Sequence, residues 1–321
     1  MQILDSLIGN LMVPTILFFA LGLLAAFVRS DLSIPEGAAK FMSLYLLLAI
    51  GFKGGNSLAK NGLDAELFTA IAAGLVLSFA IPFIAYGLLR GMTRLDPLNA
   101  AAVAGHYGSI SIVTFVAASS LLDLTGIASD GYMVAVAATM EVPAILSALW
   151  IAQRFGHEGG ARRVPARELF ANGSIVLLTG AFVIGALTQD RGMQMIAPFV
   201  VTPFTGILCL FLLDMGLSAG RSLLRNRHLL CAGLFAFGLV MPVIGALLAM
   251  GLGSAIGLQT GSLFLLMVLS ASASYIAVPA AMKVALPRAE AGIYLTLSLG
   301  VTFPFNITVG LPLYLWLAGL V

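Results

Sequence analysis

Apolar residues fall along this chain in long runs, each closed by a short polar or glycine-rich stretch. The runs cover residues 11–28, 40–52, 66–89, 97–122, 131–153, 172–188, 197–215, 229–252, 261–282 and 291–319. A helix of roughly 20 apolar residues crosses the hydrocarbon core of a bilayer, about 30 Å thick. The pattern therefore predicts an all-helical membrane protein of about ten spans, with too little chain left over for a separate extramembrane domain.

Loop charge orients these spans. If successive loops alternate sides, thirteen of the sixteen lysines and arginines fall on one side, among them Arg90, Arg94, Arg154, Arg162, Arg163, Arg167, Arg225 and Arg288. Only Lys53, Lys60 and Arg191 fall on the other. Basic residues concentrate on the cytoplasmic side, so both termini are expected outside the cytoplasm. The first residues show no basic stretch or small-residue cleavage site, so the first run is expected to stay as a span. A plasma membrane or bacterial inner membrane follows.

Composition agrees with this reading. The chain is 60% hydrophobic and 9% charged with a mean hydropathy of +1.06, against about 25% charged in soluble domains. A net charge of +2 spread over scattered positions offers nothing to nucleic acid. Cys209 and Cys231 both lie in apolar stretches and read as small hydrophobes rather than reactive thiols. No cofactor is expected.

The runs are internally repeated. Residues 46–60 align with 211–225, pairing Gly51 with Gly216, Gly55 with Gly220 and Ser57 with Ser222; further on, Ser109 and Ser111 pair with Ser272 and Ser274, Pro82 with Pro242, and Pro143 with Pro304. Each copy holds five spans, an odd number, so the second enters the membrane from the opposite side, as in the inverted repeats of secondary transporters. Residues 1–155 are read as the first repeat, 156–171 as a short cytoplasmic linker and 172–321 as the second repeat.

The candidate chemistry lies at matched places in the copies. The fourth run carries Gly105-His106-Tyr107-Gly108-Ser109-Ile110-Ser111-Ile112-Val113-Thr114, and the ninth carries Ser270-Ala271-Ser272-Ala273-Ser274-Tyr275-Ile276-Ala277-Val278-Pro279. Glycine and proline in mid-span predict discontinuous helices. The broken ends free N–H groups that suit an anion and carbonyls that suit a small cation. Gly108, Ser109, Ser111, Thr114, Ser272, Ala273 and Ser274 are the candidate substrate contacts, although small residues also serve close helix packing. Glu141, in mid-span beside Pro143, is the foremost candidate for a coupling cation or proton, and Thr302 and Asn306 flank Pro304 at the matching place. His106 reads equally as a relay or as a hydrogen-bonded structural histidine, and Tyr107 as a packing aromatic. Asp214 is expected at an interface with Arg221, Asp96 as a cap before Pro97, and Asp5 at the surface.

The run from Gly105 to Ala118, the Glu141-Val142-Pro143-Ala144 segment, and the stretch from Ser272 to Pro279 continuing to Leu286-Pro287 resemble the sodium-dependent bicarbonate transporters of the cyanobacterial SbtA type. The resemblance implies a core of spans three to five and eight to ten and a gate of spans one, two, six and seven. It further implies that broken spans four and nine cross near the midplane around bicarbonate and sodium, and that the protein is a homotrimer in membrane lipid. Two features depart from the family. Tyr275 stands where the family has an acidic residue, with Ala277 and Val278 replacing a small polar residue and a glycine. The segment Arg154 to Glu168 is much shorter than the family's charged linker, so control by a PII-like regulator is not carried over.

The leading expectation is sodium-dependent import of bicarbonate by alternating access. The alternatives are a proton- or sodium-coupled symporter of another small anion or carboxylate, an intramembrane hydrolase pairing Ser109 or Ser111 with His106, and a channel. The serine pair is duplicated and the histidine is not, which disfavours an enzyme.

Overall fold

The computed structural model describes residues 13–61, 65–155, 173–275 and 277–321. Asp5 and the 156–171 linker, with Arg162, Arg163 and Arg167, lie outside the described residues. Among the described residues all regular structure is helical: α1 Pro14–Phe27, α2 Glu36–Asn61, α3 Ala65–Met92, α4 Pro97–Gly108, α5 Ile112–Thr125, α6 Met133–Thr139, α7 Glu141–Phe155, α8 Gly173–Val200, α9 Phe204–Asn226, α10 Ala232–Ala255, α11 Thr260–Ala271, α12 Ala277–Ala285 and α13 Ala291–Ala318. Six of these segments are long and apolar enough to cross a membrane, namely α3, α4 with α5, α6 with α7, α9, α10 and α13, while α1 and α11 are shorter apolar helices.

Local chemistry sets several ends. Asp96 caps α4, accepting from Leu98 N at 3.0 Å and Asn99 N at 3.1 Å ahead of Pro97, an arrangement worth about 1 kcal/mol. Burial opposes the Asp96 charge, but hydrogen bonds from the Asn99 side chain and these amides outweigh it and hold the carboxyl below its ordinary value. Ser111 caps α5, and Gly126, at φ 69°, closes it in the left-handed conformation that a Cβ disfavours. In α13 the backbone widens to π-helical turns at Thr296–Thr302 and Asn306–Gly310, on either side of Phe303-Pro304-Phe305. Proline has no N–H and crowds the preceding turn, and a wider turn relieves both problems.

Two packing groups result. α1 packs on α9 and α2 on α8, while α3, α4 and α7 pack together and α10 packs on α11 and α3. The first two contacts depend on the repeated glycines: a Cβ on Gly55 would collide with the Phe182 carbonyl of α8, and one on Gly216 with the Phe19 carbonyl of α1. Small residues four apart let membrane helices approach backbone to backbone. The groups touch where α9 meets α13 and where α2 meets α5 and α6.

Some boundaries differ from the hydropathy reading. The second run, read as 40–52, is the middle of α2, which continues to Asn61. Lys53 therefore sits on a helix rather than in a loop, and its charge is met by Asp123 at 2.9 Å. The sixth run continues past 188 through a kink at Gln189 (φ 50°, ψ −145°) to Val200, and α9 begins at Phe204, so 197–203 belongs to the end of α8 and a turn. The turn, Val201-Thr202-Pro203, carries no charge and no glycine, which left it inside an apolar run. Arg221 donates to the Leu32 carbonyl at 2.6 Å and lies close enough to Asp214, which is buried in α9, for their charges to interact. Cys209 is buried as expected, but Cys231 is exposed at the N-cap of α10.

Candidate anion and cation site

Both predicted discontinuities are present. α4 stops at Gly108, Ser109 and Ser111 are extended (φ −90°, ψ 170° and φ −103°, ψ 107°), and α5 starts at Ile112. α11 stops at Ala271, Ser272 is extended (φ −86°, ψ 163°), and α12 starts at Ala277. Backbone groups freed at membrane depth cost several kcal/mol each unless paired, and the two breaks pair each other. Ser111 N–H donates to Ser272 Oγ at 2.8 Å, and Ser274 N–H donates to the His106 carbonyl at 2.8 Å. The two Ser-x-Ser segments thus cross in contact, buried in the protein.

The hydroxyls at the crossing are not equally available. Ser111 Oγ accepts from Thr114 N at 3.3 Å and from Thr114 Oγ1 at 2.9 Å. Ser272 Oγ donates to the Leu269 carbonyl at 2.8 Å, and Ser274 Oγ accepts from Val278 N at 3.3 Å. Ser109 is the loosest: its hydroxyl points to Glu141 Oε2 at 3.5 Å, long for such a bond. The first-turn N–H groups of Ile112 and Val113 have no intrahelical carbonyl to reach. Gly108 lies where α4 passes closest to Pro82 and the Ser78 carbonyl, leaving no room for a side chain. Ala273, 3% exposed, lies between the two serines of the second break.

Glu141 opens α7 and is buried. It follows a break at Met140, where Pro143, third in the new helix, leaves earlier carbonyls without amide partners. Ser78 on α3 donates to the Met140 carbonyl. Hydropathy reading passed over Ser78; its only mark in the sequence is a hydroxyl four residues before the repeated Pro82.

At the matching place in the second half, neutral groups fill every role. Thr302 Oγ1 donates to the Gly238 carbonyl at 2.8 Å and meets the Tyr107 hydroxyl at 2.6 Å. Tyr107 thus adds a hydrogen bond to the packing expected of it. Asn306 donates to the Ala271 carbonyl at 2.9 Å, the last of α11, and accepts from the Tyr314 hydroxyl at 2.9 Å. Tyr275 packs edge-on against Phe303, centroids 5.3 Å apart. Its buried hydroxyl is directed toward Ser111 without a hydrogen bond of good geometry. The His106 ring stacks on Tyr294 at 4.4 Å, with Nδ1 bonded to the Ala102 carbonyl at 2.7 Å and Nε2 unpartnered.

The sequence model of the Na+-dependent bicarbonate transporter superfamily matches residues 14–319. The chain belongs to that superfamily. No curated protein matches the chain. Membership makes the apolar helices those of an integral membrane transporter and makes sodium and bicarbonate the solutes to weigh. Among the described residues no three His, Cys, Asp or Glu side chains cluster to hold a metal. A superfamily cation here would meet one carboxylate and neutral oxygens, a donor set that suits a weakly held hard ion.

Proposed function

We propose that the protein imports bicarbonate together with sodium by alternating access. The observation that carries this reading is the crossing of the two broken helices, Ser111 N–H on Ser272 Oγ at 2.8 Å, with the Glu141 carboxylate beside Ser109. The anion would be received by the open N-terminal turn of α5 and by the hydroxyls of Ser109, Ser111, Thr114, Ser272 and Ser274. Glu141 and nearby carbonyls would hold sodium. α3 to α7 with α10 to α13 would form the core, moving against a gate of α1, α2, α8 and α9, each drawing helices from both inverted repeats, with both termini outside. The close glycine contacts of α1 with α9 and α2 with α8 support treating the gate as one body. A homotrimer with one path per protomer completes the reading.

A hydrolase is disfavoured because, among the described residues, no serine of either break hydrogen-bonds the His106 ring, and a nucleophile needs its base within reach. The test is uptake of labelled bicarbonate into proteoliposomes under an inward sodium gradient. Accumulation with the gradient and none without it is expected. Uptake in neither condition would sink the substrate assignment, and uptake driven equally by a proton gradient would make Glu141 a proton carrier.

A further inference from the structure

A second polar feature lies away from the crossing. Between α2 of one packing group and α5 and α6 of the other is a cavity of about 170 Å³ whose lining includes Lys53, Ser57, Phe115, Ser119, Asp123 and Asp130. Ser111, Phe115, Ser119 and Asp123 are successive fourth residues along α5, so they form one stripe on that helix. The stripe runs from the crossing at one end to the cavity mouth at the other. Phe115, 1% exposed, closes the floor one turn above Ser111. At the mouth Lys53 Nζ reaches Asp123 at 2.9 Å and lies over the Phe204 ring of α9 at 5.3 Å. Lys53 is thus seated on its own group and bonded to the other. Below it the groups are tightly closed: a Cβ on Gly54 would meet Val134 at 2.5 Å, and one on Gly131 would meet the Gly54 carbonyl at 2.5 Å.

We propose that this cavity is the outer vestibule of the transport path, that the Lys53–Asp123 pair latches it shut, and that Lys53 is the first contact of the incoming small oxyanion. The proposal rests on the transport reading above. Among the described residues Lys53 is the one cation in the lining, and an anion arriving there competes with Asp123 for it. The pair is partly exposed, at 34% and 63%. Exposed pairs hold with less than about 1 kcal/mol, so the latch biases the closed state by roughly two- to fivefold and opens in every cycle.

The test uses the full-length protein with Cys231→Ser and Ser119→Cys, labelled from outside by a membrane-impermeant thiol reagent, alongside bicarbonate uptake. Lys53→Gln and Asp123→Asn should each speed labelling about two- to fivefold, and the charge exchange Lys53→Asp with Asp123→Lys should return it to the slow rate. Only Lys53→Gln should raise KM for bicarbonate, because Asp123→Asn leaves the cation in place. Unchanged labelling in both single variants would overturn the latch. An equal rise in KM for both would overturn Lys53 as the anion's first contact. Bicarbonate uptake absent from the parent protein, with labelling still dependent on the pair, would strike the transport reading and leave the latch standing.

Discussion

At the first break the Ser109 hydroxyl lies 3.5 Å from the Glu141 carboxylate, whereas at the second the Asn306 amide takes the last carbonyl of α11 and Tyr275 stands within the break itself. The prolines that pair in the repeat act differently as well. Pro143 stands in the first turn of a new helix after the break at Met140, while Pro304 is carried inside a continuous helix by π turns on both sides. One break is therefore charged with a hydroxyl loosely held, and the other is neutral with its carbonyl already hydrogen-bonded. A cation gains most where oxygens are not already committed, so the first break is the one proposed above for sodium, and the second is proposed as framework and anion wall.

Glu141→Gln should give the largest effect, a loss of sodium stimulation of about tenfold or more, since it replaces the one negatively charged oxygen donor proposed for the cation with a neutral one; Asp214→Asn should change it less than about twofold. Initial uptake rates across sodium concentrations decide this, and equal losses would show that the cation sits elsewhere. Asn306→Leu strands the Ala271 carbonyl and the Tyr314 hydroxyl and should lower stability by about 1–3 kcal/mol, read as a fall in Tm in detergent, with sodium affinity retained. A matching fall in sodium affinity would make the second break a cation site too. Thr302→Val removes the hydroxyl between Tyr107 and Gly238 and should lower stability by about 1 kcal/mol without altering the sodium dependence of uptake. Tyr275→Phe deletes a hydroxyl that makes no good hydrogen bond and should move stability by less than about 0.5 kcal/mol, with uptake within twofold of the parent. A large loss of uptake would make Tyr275 a working part of the site.

What the sequence made legible was local or periodic. Apolar runs located the long helices, the Asp96-Pro97 pair marked a helix start that the cap geometry reproduces, and Ser-x-Ser, with glycine before it in one copy and proline after it in the other, marked both discontinuities. What it hid depends on partners distant in sequence. Lys53 reads as a loop residue until Asp123, seventy positions on, accounts for its charge within a helix. Ser78 reads as a chance hydroxyl until the Met140 carbonyl is seen to need it. Asn306 beside Pro304 reads equally as a cation ligand or an interhelical hydrogen-bonder, and its partners Ala271 and Tyr314 are legible only in the fold. Backbone shape was hidden for a different reason: π and α turns carry similar apolar patterns, and the kink at Gln189 has no glycine to announce it.

The glycine contacts of the α1–α9 and α2–α8 pairs bear on how such a sequence can drift. At Gly55 and Gly216 one added methyl group meets a neighbouring backbone carbonyl, so neutral variation is nearly closed to those positions whatever solute is carried. Adaptation to a new anion would have the hydroxyls of the crossing and Tyr275 to work with, where a side chain can change without striking a neighbouring carbonyl. The steric room for substitution is thus small along the frame and larger at the centre.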